Sequence, residues 1–230
     1  MRLTRRLATI AGYVPPGTVV ADIGTDHALL PIYLVVKGIC PRAVATELNA
    51  GPYRSARTAV HQHGLDSKID VRRGDGLQPL SPGEAQVIVL AGLGGNTIRE
   101  ILAASPEVLA ASRRLILQPM ADEGNLRLWL VENGWRLVDE TLVEDDGRLY
   151  VVMVAEPGPE KVNDSFILEI GPRLVEEKHP LLPVYIHKLI SEYQHILESL
   201  ARSNSPRTEN KFREITTRLA RLQEVLKKCQ

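Results

Sequence analysis

The stretch VVADIGTDHALLP, residues 19–31, decides the fold. Val19 to Ile23 is apolar apart from Asp22 and ends on Gly24, and HALLPIYLVVKG follows at helical length. A strand covered by helices on both faces must be apolar on both, so Val19 to Ile23 reads as a buried parallel strand that turns into a helix at its carboxyl end. The alternation repeats downstream. Ala43 to Glu47, Ile69 to Arg73, Val87 to Ala91 and Leu115 to Gln118 are four further runs of this kind, with segments such as PYRSARTAVHQHG and NTIREILAAS between them. Repeated βα order of this sort predicts five parallel strands in one sheet. WRLVDETLVE and GRLYVVMVAE then flank Asp145, Asp146 and Gly147, a turn-forming triplet that predicts a hairpin with one strand antiparallel to the rest. The expected architecture is a doubly wound, Rossmann-like α/β domain over residues 1–157, because PGPEKVND breaks the pattern there.

Residues 158–230 follow a different rule. Ile186, Leu189, Tyr193, Ile196 and Leu200 step by three and four, as do Phe212, Ile215, Leu219, Leu222 and Leu226. Two such seams joined by the polar, proline-containing ARSNSPR predict a C-terminal helical coiled-coil hairpin domain. From Arg207 to Lys228 seven basic residues stand against Glu209, Glu214 and Glu224, a local excess of four positive charges.

The whole chain has 28 Lys and Arg against 28 Asp and Glu, so any attraction for a polyanion must come from a local patch. Apolar residues at 44% and charged residues at 24% are globular proportions and exclude wholesale disorder. Cys40 and Cys229 are too far apart in the chain to suggest a disulfide framework, which points to a reducing cytoplasm. MRLTRRLATIAGYVPPG lacks the apolar core of a signal peptide, and no window approaches a membrane span. The six histidines suggest no metal cluster.

Ligands of open α/β sheets bind at the carboxyl edge of the strands, and four signals converge there. Asp22, Gly24, Thr25 and Asp26 close the first strand in the pattern D-x-G-x-D. A dinucleotide fingerprint would carry a second glycine at Asp26, where a pyrophosphate would instead meet a carboxylate. A sulfonium methyl donor tolerates acidic surroundings, so S-adenosylmethionine is the candidate cofactor. Glu47, followed by Leu48, ends the second strand 25 residues after Asp22 and suits a ribose diol. Gly74, Asp75 and Gly76 follow the third strand, with Asp75 able to accept from an adenine amino group. Ala91 and Gly92 open the glycine-rich AGLGG after the fourth strand, where a ligand can come close. These residues alone leave three functions open: a methyltransferase acting on RNA, one acting on another substrate, and a non-catalytic RNA-binding protein.

ADIGTDHALLP, ELNAGP, GDGL, AGLGG and LILQP, in this order and ahead of a helical hairpin, resemble the bacterial tRNA (adenine-22-N1)-methyltransferases of the TrmK type. The resemblance spans essentially the whole chain. It implies a class I methyltransferase sheet, S-adenosylmethionine as methyl donor and N1 of an adenine in the D-loop region of tRNA as acceptor, with tRNA as the partner and no membrane or protein partner evident. Carried over by position, Gly24, Thr25 and Asp26 would line the methionine moiety, Glu47 the ribose, Asp75 and Gly76 the adenine, and Ala91 and Gly92 the floor beneath the methyl group. Leu93 and Met120 depart from the family's usual methionine and asparagine. The catalytic candidates are Asp26, with His27 as its hydrogen-bond neighbour, and Gln118, whose amide could read an adenine edge. Arg2, Arg5 and Arg6 are expected to face outward from a helix that turns Leu3, Leu7 and Ile10 inward, and to meet phosphates together with the basic second helix of the hairpin.

Overall fold

The computed structural model describes residues 2–162, 164–202 and 206–228, the side chains of residues 206–208 excepted. Seven strands form one sheet: β1 (Val20–Ile23), β2 (Ala43–Glu47), β3 (Ile69–Arg73), β4 (Val87–Leu93), β5 (Arg114–Pro119), β6 (Trp135–Asp145) and β7 (Arg148–Pro157). Their order across the sheet is β3-β2-β1-β4-β5-β7-β6. The five predicted parallel strands are present, and the Asp145-Asp146-Gly147 triplet joins β6 to β7. β7 inserts between β5 and β6 and runs antiparallel to both. Strand order reverses between β1 and β4, which opens a crevice at their carboxyl ends.

Helices α1 (Arg5–Gly12), α2 (Leu29–Val36), α3 (Ala50–Gln62), α4 (Gly95–Ala103), α5 (Pro106–Ala110) and α6 (Glu123–Glu132) accompany the sheet. The residues of β1 and β2 are all buried, as strands with two covered faces must be. Thr4 caps α1 by accepting from the Leu7 N–H, and Leu3, Leu7 and Ile10 pack into the core cluster that includes Val20, Val89 and Ile116.

Two compact units divide at Glu169, twelve residues beyond the boundary expected at 157. The last residues of the first unit are anchored within it. Arg127 on α6 and Glu140 on β6 form a fully buried ion pair (2.6 Å), and the same guanidinium donates to the carbonyls of Leu168 and Glu169 (2.9 and 3.1 Å). A charge buried without compensation is prohibitively costly, so this set fixes residues 168–169 against α6.

α7 (Ile167–Ile170) spans the division, and the second unit comprises α8 (Pro172–Glu176), α9 (Leu182–Leu200) and α10 (Pro206–Lys228), with α9 and α10 in contact. Ile186, Ile215 and Leu222 are buried, whereas Ile196 and Phe212 on the predicted seams are exposed. Residues 203–205 of the predicted connection and Cys229 lie outside the described residues. Along α10, Glu209 pairs with Arg213, and Glu214 with Lys211 and Arg218. Among the described residues no helix is long and apolar enough to cross a membrane.

Candidate functional site

A cleft of about 550 Å³ opens where β1, β2 and β3 end. Ile23, Gly24, Asp26, Thr46, Glu47, Leu48, Gly74, Asp75, Gly76 and Leu93 line it, and Thr97, Glu100 and Ile101 of α4 form part of its wall. Acids expected from separate strand ends therefore border one cavity.

Its walls are tied together by the main chain. The N–H groups of Gly24 and Thr25 both donate to the Thr46 carbonyl (2.9 and 3.1 Å), and Gly74 N–H donates to the Glu47 carbonyl (3.0 Å). Thr46 Oγ1 donates to the Gly76 carbonyl (3.0 Å). Glu47 is the hub: one carboxylate oxygen accepts from Asp26 N–H (3.3 Å) and the other from Asn49 N–H (3.0 Å). Gly76 is required at its place, since its φ is +52° and a Cβ there would approach Ile101 Cγ2 to 2.7 Å.

The turn after β1 differs from expectation in one respect. A helix was expected to begin within Gly24–Ala28, yet α2 starts at Leu29, and both Asp26 and Ala28 adopt left-handed backbone (φ 53° each). Ala28 is the N-cap and lends no side-chain bond, so Asp26 is not the cap of α2. Aspartate tolerates this conformation better than most residues, and alanine does not. The two turn the Asp26 side chain to the cleft with 65% exposure. Ala28 is fully buried, and Asp26 is a strained residue at the cavity rim, which is a mark of a functional site.

Asp22 and Thr25 stand behind the lining. Asp22 is 6% exposed, and Thr25 Oγ1 donates to its Oδ2 (2.6 Å). Burial pushes the Asp22 carboxyl up to about 6, with the Thr25 hydroxyl opposing the rise and the Glu47 charge adding to it. A carboxyl raised above its unfolded value makes the folded state hold a proton that the unfolded chain has already released. Its stabilising contribution is therefore full below the unfolded pKa, about 3.9, and fades as pH rises through about 6. Asp22→Asn, which keeps an acceptor for Thr25 but cannot ionise, should be more stable than the wild type at pH 8 by as much as roughly 3 kcal/mol. Urea midpoints should show the gap closing towards about pH 4. A gap that does not change with pH would mean that Asp22 is not the titrating group.

Four further candidates, His27, Ala91, Gly92 and Gln118, do not line the cleft. His27 lines a separate shallow groove with Gly51, Arg54 and Ser55, and its Nε2 is 3.7 Å from Asp26 Oδ1, beyond hydrogen-bond length. Ala91 and Gly92 belong to the end of β4 but not to the lining. Gln118 is fully buried, and its amide is committed within the protein: Oε1 accepts from Arg6 Nη1 (2.6 Å) and Gly92 N–H (3.1 Å), while Nε2 donates to the Pro119 carbonyl (2.8 Å) and contacts Met120 Sδ (3.5 Å). An amide with two lone pairs and two hydrogens so engaged has none left to read a base edge. Arg6 also departs from expectation, because it points to the strand ends and not to solvent. Leu3, Arg6 and Ile10 recur at helical spacing, and that was the signal for an inward Arg6. Among the described residues no three or more His, Cys, Asp or Glu side chains gather as a metal site requires.

The family model of TrmK, tRNA (adenine(22)-N(1))-methyltransferase, matches residues 20–224 of this chain. The curated tRNA (adenine(22)-N(1))-methyltransferase of Bacillus subtilis (strain 168) is 39% identical, with 98% of each chain covered. The crystal structure of the B. subtilis m1A22 tRNA methyltransferase superposes with a TM-score of 0.90 at 37% identity, covering 98% of this chain and 99% of that one. A putative tRNA (m1A22) methyltransferase of Streptococcus pneumoniae, solved in complex with S-adenosyl-L-methionine, superposes with a TM-score of 0.85 at 34% identity, covering 98% of this chain and 100% of that one.

Proposed function

This chain belongs to the tRNA (adenine(22)-N(1))-methyltransferase family, and on that premise we propose how its residues carry a methyl group from S-adenosylmethionine to N1 of adenine 22 in tRNA. The observation that carries the assignment of residues is the single cleft bordered by Gly24, Asp26, Glu47 and Asp75, of a volume suited to a nucleoside. Glu47 accepts from the ribose hydroxyls, and Asp75 from the adenine amino group. Gly74 and Gly76 let the base lie against the main chain. Gly24 and Asp26 face the methionine part, with Asp22 and Thr25 supporting them from behind. The donor supplies an electrophilic methyl on a cationic sulfur, which an acidic rim favours.

N1 of adenine has a free in-plane lone pair at neutral pH, so transfer needs alignment more than it needs a base. The methylated ring becomes cationic. Asp26, exposed at the rim, is placed to stabilise that charge as it develops. A base in folded tRNA must leave its stack to reach the rim, which requires contacts to the surrounding backbone. Arg2, Arg5 and the cations of α10 supply these. Leu93 and Met120, the two departures from the family pattern, are apolar, and Met120 is 43% exposed beside the end of β5. Cys40 is a buried thiol in no disulfide, as fits a reducing cytoplasm, and burial pushes its pKa up to about 11.

Incubation with labelled methyl donor and unmodified tRNA, followed by nucleoside mapping, tests the assignment. 1-Methyladenosine at position 22 is the expected product, and tRNA affinity should fall by orders of magnitude between about 50 and 200 mM salt. Label recovered in another nucleoside or in protein would reassign the acceptor.

A further inference from the structure

Gly92 interrupts β4. The pairing with β5 shifts between Ala91 and Leu93, and Gly92 has φ +79°. Its N–H is taken up by the side chain of Gln118 (3.1 Å), whose same oxygen accepts from Arg6 Nη1 (2.6 Å). Arg6 itself is held from two other directions. Its guanidinium carbon lies 5.4 Å from the centre of the Tyr150 ring, and its main-chain N–H donates to Asp145 Oδ2 (3.1 Å). A Cβ on Gly92 would sit 3.7 Å from Arg6 Nη1, so the cation rests directly against the bulge. The next residue, Leu93, lines the cleft, with Cδ1 3.9 Å from the Cβ position of Gly24.

We propose that Arg6 is a positioning residue for methyl transfer, acting through Gln118 to fix the Gly92 peptide and hence the Leu93 wall of the cleft. The inference rests on the methyltransferase assignment above. A bulge glycine has several conformations within thermal reach, and the charged donor on Gln118 selects one of them. Holding a cleft wall to within a fraction of an ångström matters because in-line displacement is sensitive to small misplacements. Arg6 is half-buried with its donor turned inward, whereas Arg2 and Arg5 on the same segment are exposed and free to meet phosphate.

Initial-rate methylation of tRNA by the full chain tests this with Arg6→Met, Gln118→Leu, the double variant and Arg6→Lys. Arg6→Met should lower kcat about tenfold, with the KM for tRNA and the salt dependence of tRNA binding unchanged. In the Gln118→Leu background the same change should cost less than about twofold, because its mediator is gone. Arg6→Lys, which keeps a cationic donor but not the planar guanidinium, should recover part of the rate, to about a third of wild type. A raised KM and a flatter salt dependence at intact kcat would make Arg6 a phosphate contact and overturn the proposal, as would fully additive losses in the double variant. Should Arg6→Met not fold, Arg6→Lys decides alone: kcat lowered about threefold at constant KM supports the role, and an unchanged kcat or a raised KM refutes it. A wild-type protein that makes no 1-methyladenosine would overturn the methyltransferase assignment itself, an outcome separate from any of these.

Discussion

Asp26→Asn is expected to lower kcat for tRNA methylation by about two to three orders of magnitude while the Kd for S-adenosylmethionine moves by less than about fivefold. Asparagine matches aspartate in shape and tolerates the left-handed backbone found there (φ 53°). The bond from residue 26 to Glu47 is made by the main-chain N–H and survives the exchange. What is lost is the negative charge at the rim when the acceptor ring becomes a cation. The positive charge reaches the ring only as the methyl leaves the sulfonium, so the larger loss appears in kcat, with a smaller one in affinity for the cationic donor. Single-turnover rates and calorimetric titration of the donor separate the two. Equal losses in both would confine Asp26 to holding the donor and leave the product cation without this partner.

Glu47→Ala should weaken S-adenosylmethionine binding by roughly several hundredfold, since charge-assisted bonds to ribose are removed together with the anchor of the surrounding loops. Asp26 N–H and Asn49 N–H both lose their acceptor, so the turns after β1 and β2 are no longer tied to one carboxylate. Glu47→Gln keeps an acceptor and should fall between the two in affinity. It also removes a charge that raises the Asp22 carboxyl, so Asp22 should titrate at lower pH in this variant. Wild-type affinity in Glu47→Ala would show that the ribose is held elsewhere.

The sheet was legible in the sequence for a physical reason: strands with two covered faces must be apolar throughout, and their ends then coincide with the cleft. Val87 to Ala91 was foreseen as ending where the glycine-rich stretch starts, yet β4 continues to Leu93 because the bulge at Gly92 lets pairing with β5 resume. α2 starts later than the pattern suggests because residues 24–26 are held by Thr46 and Glu47 from the neighbouring strand, contacts that no local pattern encodes. Gln118 was seen at the right strand end. Its saturation could not be read from β5, since Arg6 and Gly92 are 112 and 26 residues away in the chain. Asp22, Glu47 and Asp75 could be grouped by strand order alone, because a parallel sheet delivers every carboxyl end to the same edge.

The salt bridge between Arg127 and Glu140 has a consequence for ancestry and for engineering. Either substitution alone strands a charge in dry surroundings, so no single-step path leads out of this arrangement without passing through a crippled intermediate. A lineage can abandon it only by exchanging both residues together, and a designer who tries a hydrophobic pair of matching volume must also supply new donors to the Leu168 and Glu169 carbonyls that Arg127 now serves.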